Sequence, residues 1–201
     1  MKIQSSGLKS ARSTMKGMGG VLAKAQMRAV NKAASTARTE GSKAIRDDVR
    51  LSAKYVNQNL VIKDKATRQK HKAIVSGRVR PTRLARYGAK QLTRKAKTSA
   101  AGDPVRGIPA GRKQAGVSVA VSKSGRRKKM RNAFLVPLRS AGNMGVFIRT
   151  GSGKNNIKHL YGPSVSQVFT DVRETIEPTA LFEMSREFRR QIRLELTRRG
   201  Q

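Results

Sequence analysis

The chain has 201 residues, a length that predicts a single domain with extensions and argues against a multidomain protein. Its 45 Lys and Arg residues against 11 Asp and Glu residues give a formal net charge of +34, so we expect a stable partner of opposite charge. The absence of Cys excludes disulfides, Cys-ligated zinc, iron–sulfur clusters and thiol catalysis, and the 4% aromatic content argues against a base-stacking platform.

The first elements along the chain are an arm and a long helix. Residues 1–18 mix Ser, Gly and Lys around scattered apolar residues, which predicts a flexible N-terminal arm that lacks the apolar stretch of a signal peptide. From 19 to about 50, small and apolar residues recur at helical spacing without a proline, which predicts a long amphipathic helix. We expect residues 19–200 to form one domain.

After this helix, apolar residues recur at the shorter spacing that is typical of strands. Alternation over 59–64 and 72–79 predicts two strands joined by a charged hairpin, and Pro81 ends the second strand. Residues 84–91 favour a short irregular or helical segment. Residues 93–113 are rich in Gly, Pro and Lys without a period, which predicts a long, flexible basic loop or arm.

The second half of the chain predicts a sheet followed by helices. Three strands at short spacing favour an antiparallel meander: 116–121, 133–138 and 145–149. Ser164 and Gln167 have the spacing of a capping box that opens a short helix through Phe169, and Pro178 fits the first turn of a final helix over about 178–199. The predicted fold class is α+β: an antiparallel β-sheet flanked by a long N-terminal helix and a C-terminal helix, with the long basic loop.

Residues suited to catalysis or metal binding are sparse. His71 and His159 are the two histidines, and neither has a neighbouring carboxylate at metal-ligand spacing. Residues 151–154 (GSGK) resemble a phosphate-binding loop, but Ile148 occupies the position of its first glycine and Asn155 follows the Lys. We therefore expect no enzyme activity, no catalytic residue, no cofactor and no metal.

A dense basic run at 123–131 lies between two of the predicted strands. In an ordinary protein we would interpret it as a solvated hairpin tip, but the charge of the whole chain favours non-specific contact with DNA phosphates. An acidic rim on a neighbouring protein is the alternative target. The candidate DNA or partner contacts, which we call the basic turn, are Arg126, Arg127, Lys128, Lys129 and Arg131.

The segment 156–169, NIKHLYGPSVSQVF, resembles the signature of the phage minor tail protein Z family, the tail completion proteins of long-tailed bacteriophages. Three further features occur in the family's order: an Ala-rich helix containing 29–34, the segment 84–91, and 116–121 followed by the basic turn and Ala133-Phe134. The similarity spans roughly 20–198. It departs from the family at Ser166, where proline is expected, and at Tyr87, where phenylalanine is common.

The resemblance implies a non-catalytic structural protein of the virion. Such a protein completes the head-proximal end of the tail and helps to join it to the head connector, and we expect a hexameric ring. The implied partners are other copies of the chain, tail tube or tail terminator proteins and the head–tail connector, with non-specific contact to phage DNA and no membrane. Synthesis is expected in the host cytoplasm. The competing interpretation is a cellular nucleic-acid-binding protein of ribosomal or nucleoid type, which would share the charge and the lack of Cys.

The centre of the signature is what we call the signature turn: Leu160, Tyr161, Gly162, Pro163 and Ser164. We expect it to fix the backbone between sheet and helix, with Tyr161 packed beneath it and Ser164 capping the helix. The alternative is that Tyr161 is an exposed contact for another tail protein. A tight turn into a capped helix needs residues of this kind in any fold.

Overall fold

The structure, a computed structural model, describes residues 6–138, 143–153 and 155–198. The chain divides into two compact units. Unit 1 consists of the residues up to Gly41, Leu60–Ser76 and the residues from Val172 onward; unit 2 consists of Ser42–Asn59 and Gly77–Asp171.

Long helices and short strands make up the described part of the chain. The helices are α1 (Ser6–Asp48), α2 (Ala53–Asn59), a short 3₁₀ helix (Leu84–Tyr87) and α3 (Val165–Thr197). The strands are β1 (Leu60–Asp64), β2 (Ile74–Gly77), β3 (Thr82–Arg83), β4 (Lys90–Lys95), β5 (Arg112–Val119), β6 (Lys128–Met130), β7 (Ala133–Pro137), β8 (Met144–Arg149), β9 (Ile157–His159) and β10 (Tyr161–Gly162).

Unit 1 is held by a small-residue core and by polar contacts between its segments. Ala25 of α1 is fully buried. Its small side chain lets a neighbouring segment pack closely against the helix. The Lys24 ammonium lies 2.5 Å from the Glu195 carboxylate of α3. The Asn31 amide donates to the carbonyl of Ala66 at 3.0 Å and accepts from its backbone N–H at 2.8 Å. These contacts join α1 both to α3 and to the segment between β1 and β2.

Unit 2 contains two three-stranded antiparallel sheets, β4-β5-β6 and β7-β8-β9, and the pair β3-β10. The Gln91 side chain connects the two larger sheets, since its Nε2 donates to the Gly116 carbonyl at 2.7 Å and its Oε1 accepts from the Leu135 N–H at 3.1 Å. Gly116 has a φ of 110°, and a Cβ there would lie 2.4 Å from the Met130 carbonyl oxygen, so a larger residue does not fit. Large side chains that are fully buried in this unit include Ile45, Val56, Tyr87, Val117, Val146 and Val165.

The structure confirms the α+β class, the two long helices and the small antiparallel sheets. Helix α1 begins at Ser6 and not near residue 19. The Leu, Ala, Met, Lys and Arg residues between 8 and 18 are good helix formers, and they outweigh the Ser and Gly residues that suggested an arm. Residues 1–5 of the predicted arm lie outside the described residues.

The predicted meander is wrong in its first strand. The segment 116–121 belongs to β5, which begins at Arg112 and pairs with β4 and β6, not with β7. Strand β4 itself lies partly in the predicted loop over 93–113, whose ends pair with each other as Thr93↔Gln114 and Lys95↔Arg112. The sequence does not reveal β4, because the burial of its residues does not alternate: Gln91, Leu92 and Thr93 are all half-buried across a shift in register, and Lys and Arg occupy the exposed positions.

The two predicted C-terminal helices form one continuous helix, α3, with Pro178 in its interior. A proline removes one backbone hydrogen bond, here the bond to the carbonyl of Glu174. Glu174 is exposed, so water can replace the missing N–H donor. The prediction that Pro178 starts a new helix is therefore wrong.

Candidate functional site

The signature turn connects three elements of unit 2 through its backbone. The Leu160 N–H donates to the Val146 carbonyl of β8 at 2.8 Å, and the Leu160 carbonyl accepts from the Leu84 N–H at 3.1 Å. The next two residues form β10 and pair with β3, with Tyr161 opposite Arg83. Leu160 thus fixes where the chain passes between the β7-β8-β9 sheet and the 3₁₀ helix.

Ser164 caps helix α3 in the way the sequence predicts. Its hydroxyl accepts from the Gln167 N–H at 3.1 Å, and the Gln167 side-chain oxygen accepts from the Ser164 N–H at 2.8 Å. Both partners of a capping box are therefore in place. Ser164 is buried, so the helix start is protected from competing water.

The buried tyrosine beneath the signature turn is Tyr87, not Tyr161. Tyr161 is 47% exposed, and its ring packs against the ring of His159 at a centroid distance of 4.5 Å. Tyr87 is fully buried, and its hydroxyl donates to the Pro163 carbonyl at 2.6 Å. The prediction that Tyr161 packs beneath the turn is wrong.

Tyr87 is buried in place of Tyr161 because side chains alternate between the two faces of β10. Neighbouring residues of a strand point to opposite faces, so Tyr161 and Gly162 cannot both face the core. A Cβ at Gly162 would lie 2.7 Å from the Tyr87 ring, so the glycine leaves the inner face free for that ring. Burial raises the pKa of Tyr87 to about 12, which keeps its hydroxyl protonated as a donor.

The basic turn is not a uniform hairpin tip. Lys128 and Lys129 belong to strand β6, which pairs with β5 with Ser118 opposite Lys129. Four of its five cationic side chains are exposed: Arg126, Lys128, Lys129 and Arg131. These four can bind an external anion without any rearrangement of the fold.

Arg127 is the exception, because its guanidinium bonds within unit 2. One nitrogen donates to the Gly88 carbonyl at 2.6 Å and to the Ser118 carbonyl at 2.8 Å. Arg127 is also half-buried. Its charge contributes to the local field, but its donors hold the 3₁₀ helix end against β5.

A second cluster of positive charge, which the sequence did not predict, lines a pocket of about 340 Å³ in unit 2. We call it the arginine pocket, and its polar lining residues are Tyr55, Arg78, Arg80, Arg83, Arg86, Asn143, His159 and Tyr161. The four arginines fall within nine residues of sequence, which is the feature that could have drawn attention to them. They form no contiguous run, so the basic turn dominates the charge pattern.

His159 forms part of the wall of the arginine pocket. Its ring stacks on Phe147 at a centroid distance of 4.4 Å and contacts the tilted ring of Tyr161 at 4.5 Å. Burial lowers the pKa of His159, and the nearby charge of Arg83 lowers it further. Its Nε2 is buried and has no hydrogen-bond partner among the described residues.

Metal binding and membrane insertion find no support in the part of the chain that the structure describes. No group of three or more His, Asp or Glu side chains there is arranged to hold a metal ion. None of the helices in the same residues is long and apolar enough to cross a bilayer.

A comparison with protein families gives a match that covers most of this chain. The family model described as prophage minor tail protein Z (GPZ) matches residues 6–199, which is nearly the whole chain. The chain has no match among curated proteins or among solved structures.

Proposed function

The chain belongs to the prophage minor tail protein Z family, and on this premise we propose that it completes the head-proximal end of a phage tail and helps to join the tail to the head connector. The observation that carries this proposal is the family match over 6–199, since membership gives the protein a structural role in a phage tail. A joining role needs a surface that binds a neighbour firmly, and the uneven charge of the chain supplies one. Unit 2 contains 25 Lys and Arg residues against four Asp residues.

In the proposed role, six copies of the protein form a ring in the virion. A tail with sixfold symmetry presents six equivalent sites, so it would template a ring from copies that repel one another in solution. Each copy carries a net charge of +34, which opposes association without counterions. We expect a monomer or a loose oligomer at low salt by sedimentation. A tight ring at micromolar concentration and low salt would contradict this mode of assembly.

The exposed cations of the basic turn provide the proposed contact with DNA. Arg126, Lys128, Lys129 and Arg131 are exposed on one short segment, and such a cluster binds phosphates without reading bases. Arg127 takes no direct part in this contact, because its donors are used within unit 2. The genome end would rest on this surface where the head meets the tail.

The experiment that tests the function is inactivation of the gene in a phage or prophage that encodes the protein. We expect tails of normal length and filled heads that do not join, and joining restored by adding the purified protein to the extract. Labelled protein should then lie at the head-proximal end of the tail in electron micrographs. Missing or shortened tails would place the protein at an earlier assembly step. Its absence from purified particles, with recovery on host ribosomes or nucleoids, would favour the cellular alternative.

A further inference from the structure

The arginine pocket holds positive charge that the protein itself leaves uncompensated. The side chains of Arg80 and Arg83 form no hydrogen bond or ion pair with the described residues, and Arg83 is half-buried. No carboxylate of the described residues lines the pocket, and the sequence has neither Asp nor Glu between Asp103 and Asp171. Like charges brought together at a concave, partly enclosed surface repel strongly, so a bound anion would stabilise this arrangement.

Backbone hydrogen bonds and strand pairing hold several residues that line the pocket. The Arg78 backbone is held at both ends, since its N–H donates to the Asn59 carbonyl at 2.8 Å and its carbonyl accepts from the Ser166 N–H at 3.1 Å. Arg83 lies in the β3-β10 pair, opposite Tyr161. The Arg86 guanidinium lies 4.4 Å from the centroid of the Tyr55 ring. The backbone positions are therefore set before a ligand binds, and binding has to order only the arginine side chains, of which Arg80 is exposed and Arg83 half-buried.

Guanidinium groups bind carboxylates and phosphates through paired hydrogen bonds, so the shape of the site decides between them. Duplex DNA presents its phosphates on a broad convex surface, flanked by sugars on both sides, and this surface cannot enter a pocket of about 340 Å³. A carboxylate on a flexible stem can enter it. The pocket also has an aromatic wall of His159 and the half-exposed Tyr161, and Arg together with Tyr is the composition typical of protein interfaces.

We propose that the arginine pocket binds a carboxylate of an acidic segment from a different protein, with Arg80 and Arg83 as the principal ligands and the Tyr161 ring as its aromatic neighbour. A second copy of this chain is a poor occupant, because it brings another +34 and few acidic residues. The site is separate from the basic turn, which takes phosphates at an exposed surface. It does not depend on where in the tail the protein is placed.

The test measures peptide and DNA binding side by side at 0.15 M salt, where weak surface attraction is screened. The probes are hexaglutamate with an amidated C-terminus, hexaglutamine with a free C-terminus and a short DNA duplex. The pocket variant is Arg80→Gln with Arg83→Gln, and the matched control is Arg126→Gln with Lys129→Gln. Both variants lose two positive charges, so a general field effect would weaken binding equally in the two.

We expect hexaglutamate amide to bind the wild type, and the pocket variant to lose about 100-fold in affinity, which is about tenfold for each charged hydrogen-bonded group. The control should lose less than about threefold in affinity for this peptide. For DNA, the control should lose more affinity than the pocket variant does. Binding of hexaglutamine through its free end would identify the C-terminal carboxylate as the preferred source over a side chain. An Arg80→Lys, Arg83→Lys variant keeps the charge and should still lose affinity, because it lacks the paired donors.

Several results would overturn the proposal. They are no binding of either peptide by the wild type, equal losses in the pocket variant and the control, or a larger loss of DNA than of peptide affinity in the pocket variant. Sedimentation that shows association of the wild type through this pocket, abolished in the pocket variant, would assign the site to copy–copy contact instead. Thermal unfolding of all variants, which should agree with the wild type because these side chains lie outside the core, confirms that folding is unaffected.

Discussion

The basic turn and the arginine pocket carry similar positive charge in the same unit but present it differently. The basic turn places four cations on an exposed segment, with Arg127 bonded inward. The arginine pocket places its cations around a concave space beside aromatic rings. An exposed run raises affinity for any polyanion, whereas convergent guanidinium groups select a ligand of defined size. The number of charges in a cluster is therefore a poor guide to what the cluster binds.

The largest expected effect is on the free energy of unfolding, and it tests which of the two tyrosines near the signature turn anchors the fold. Tyr87→Ala removes a fully buried ring and the hydrogen bond to Pro163, so the free energy of unfolding should fall by about 3–5 kcal/mol. Tyr161→Ala removes a half-exposed ring and should lower it by less than about 1 kcal/mol. Denaturant titration measures both values. Equal losses for the two variants would contradict the assignment of Tyr87 as the buried anchor.

The next effect separates the two clusters by their binding to DNA. Replacing Arg126, Lys128 and Lys129 by Gln should lower the slope of log affinity against log salt by about 2.7, which is about 0.9 for each lost phosphate contact. Replacing Arg80, Arg83 and Arg86 by Gln removes the same charge and should change the slope by less than about 1. Titrations of a DNA duplex between about 50 and 200 mM salt measure these slopes. A reversed order would place the phosphate contact in the pocket.

Within the basic turn, Arg127 should differ from its neighbour Arg126. Arg127→Ala leaves the Gly88 and Ser118 carbonyls without their charged donor, so we expect a loss of about 2 kcal/mol in the free energy of unfolding. Arg126→Ala removes an exposed side chain and should change it by less than about 0.5 kcal/mol. The two melting curves, recorded in one buffer, make the comparison. If they coincide, the inward bonds of Arg127 do not support the fold.

A smaller effect concerns the start of α3, whose Ser166 N–H holds the Arg78 carbonyl at the edge of the pocket. Ser164→Ala removes one half of the capping box and should lower the free energy of unfolding by about 1 kcal/mol. Gln167→Ala removes the other half, and the double variant should lose less than the sum because the two bonds act together. Strict additivity in this double-mutant cycle would contradict their coupling.

The smallest effect is the contribution of His159 to the pH dependence of the free energy of unfolding. Its pKa in the folded state is below the ordinary value, so near that ordinary value, about 6.5, the unfolded chain binds a proton that the folded chain does not. The free energy of unfolding should therefore fall as the pH drops from 7 through 6. His159→Phe keeps a ring against Phe147 and should flatten this dependence, whereas His159→Gln removes both the ring and the titrating group, so it should flatten the pH dependence and also lower the stability. A wild-type free energy of unfolding that rises as the pH drops from 7 to 6 would contradict the lowered pKa of His159.

Local interactions explain which parts of the fold and the site follow from the sequence. The capping box of Ser164 and Gln167 involves four consecutive residues, and the part of helix α1 after residue 19 follows from small and apolar residues that recur at helical spacing. Strand β4 was missed because its pairing with β5 depends on residues about twenty positions away, and because a shift in register within the strand removes the alternation that would have revealed it. The continuity of α3 through Pro178 was missed because an interior proline weakens a helix without always ending it, and the exposure of Glu174, which lets water replace the missing donor to its carbonyl, is set by the tertiary structure.

By itself, the sequence determined the α+β class, the strong positive charge, the cap of α3 and the family to which the chain belongs. Only the tertiary structure decided which tyrosine lies beneath the signature turn and which arginines meet His159. The pairing of β3 with β10 sets Tyr161 opposite Arg83, and the Tyr87 ring takes the space that Gly162 leaves open. Such contacts join residues far apart in the chain, and their register depends on the packing of the whole unit, which no local pattern of side chains encodes.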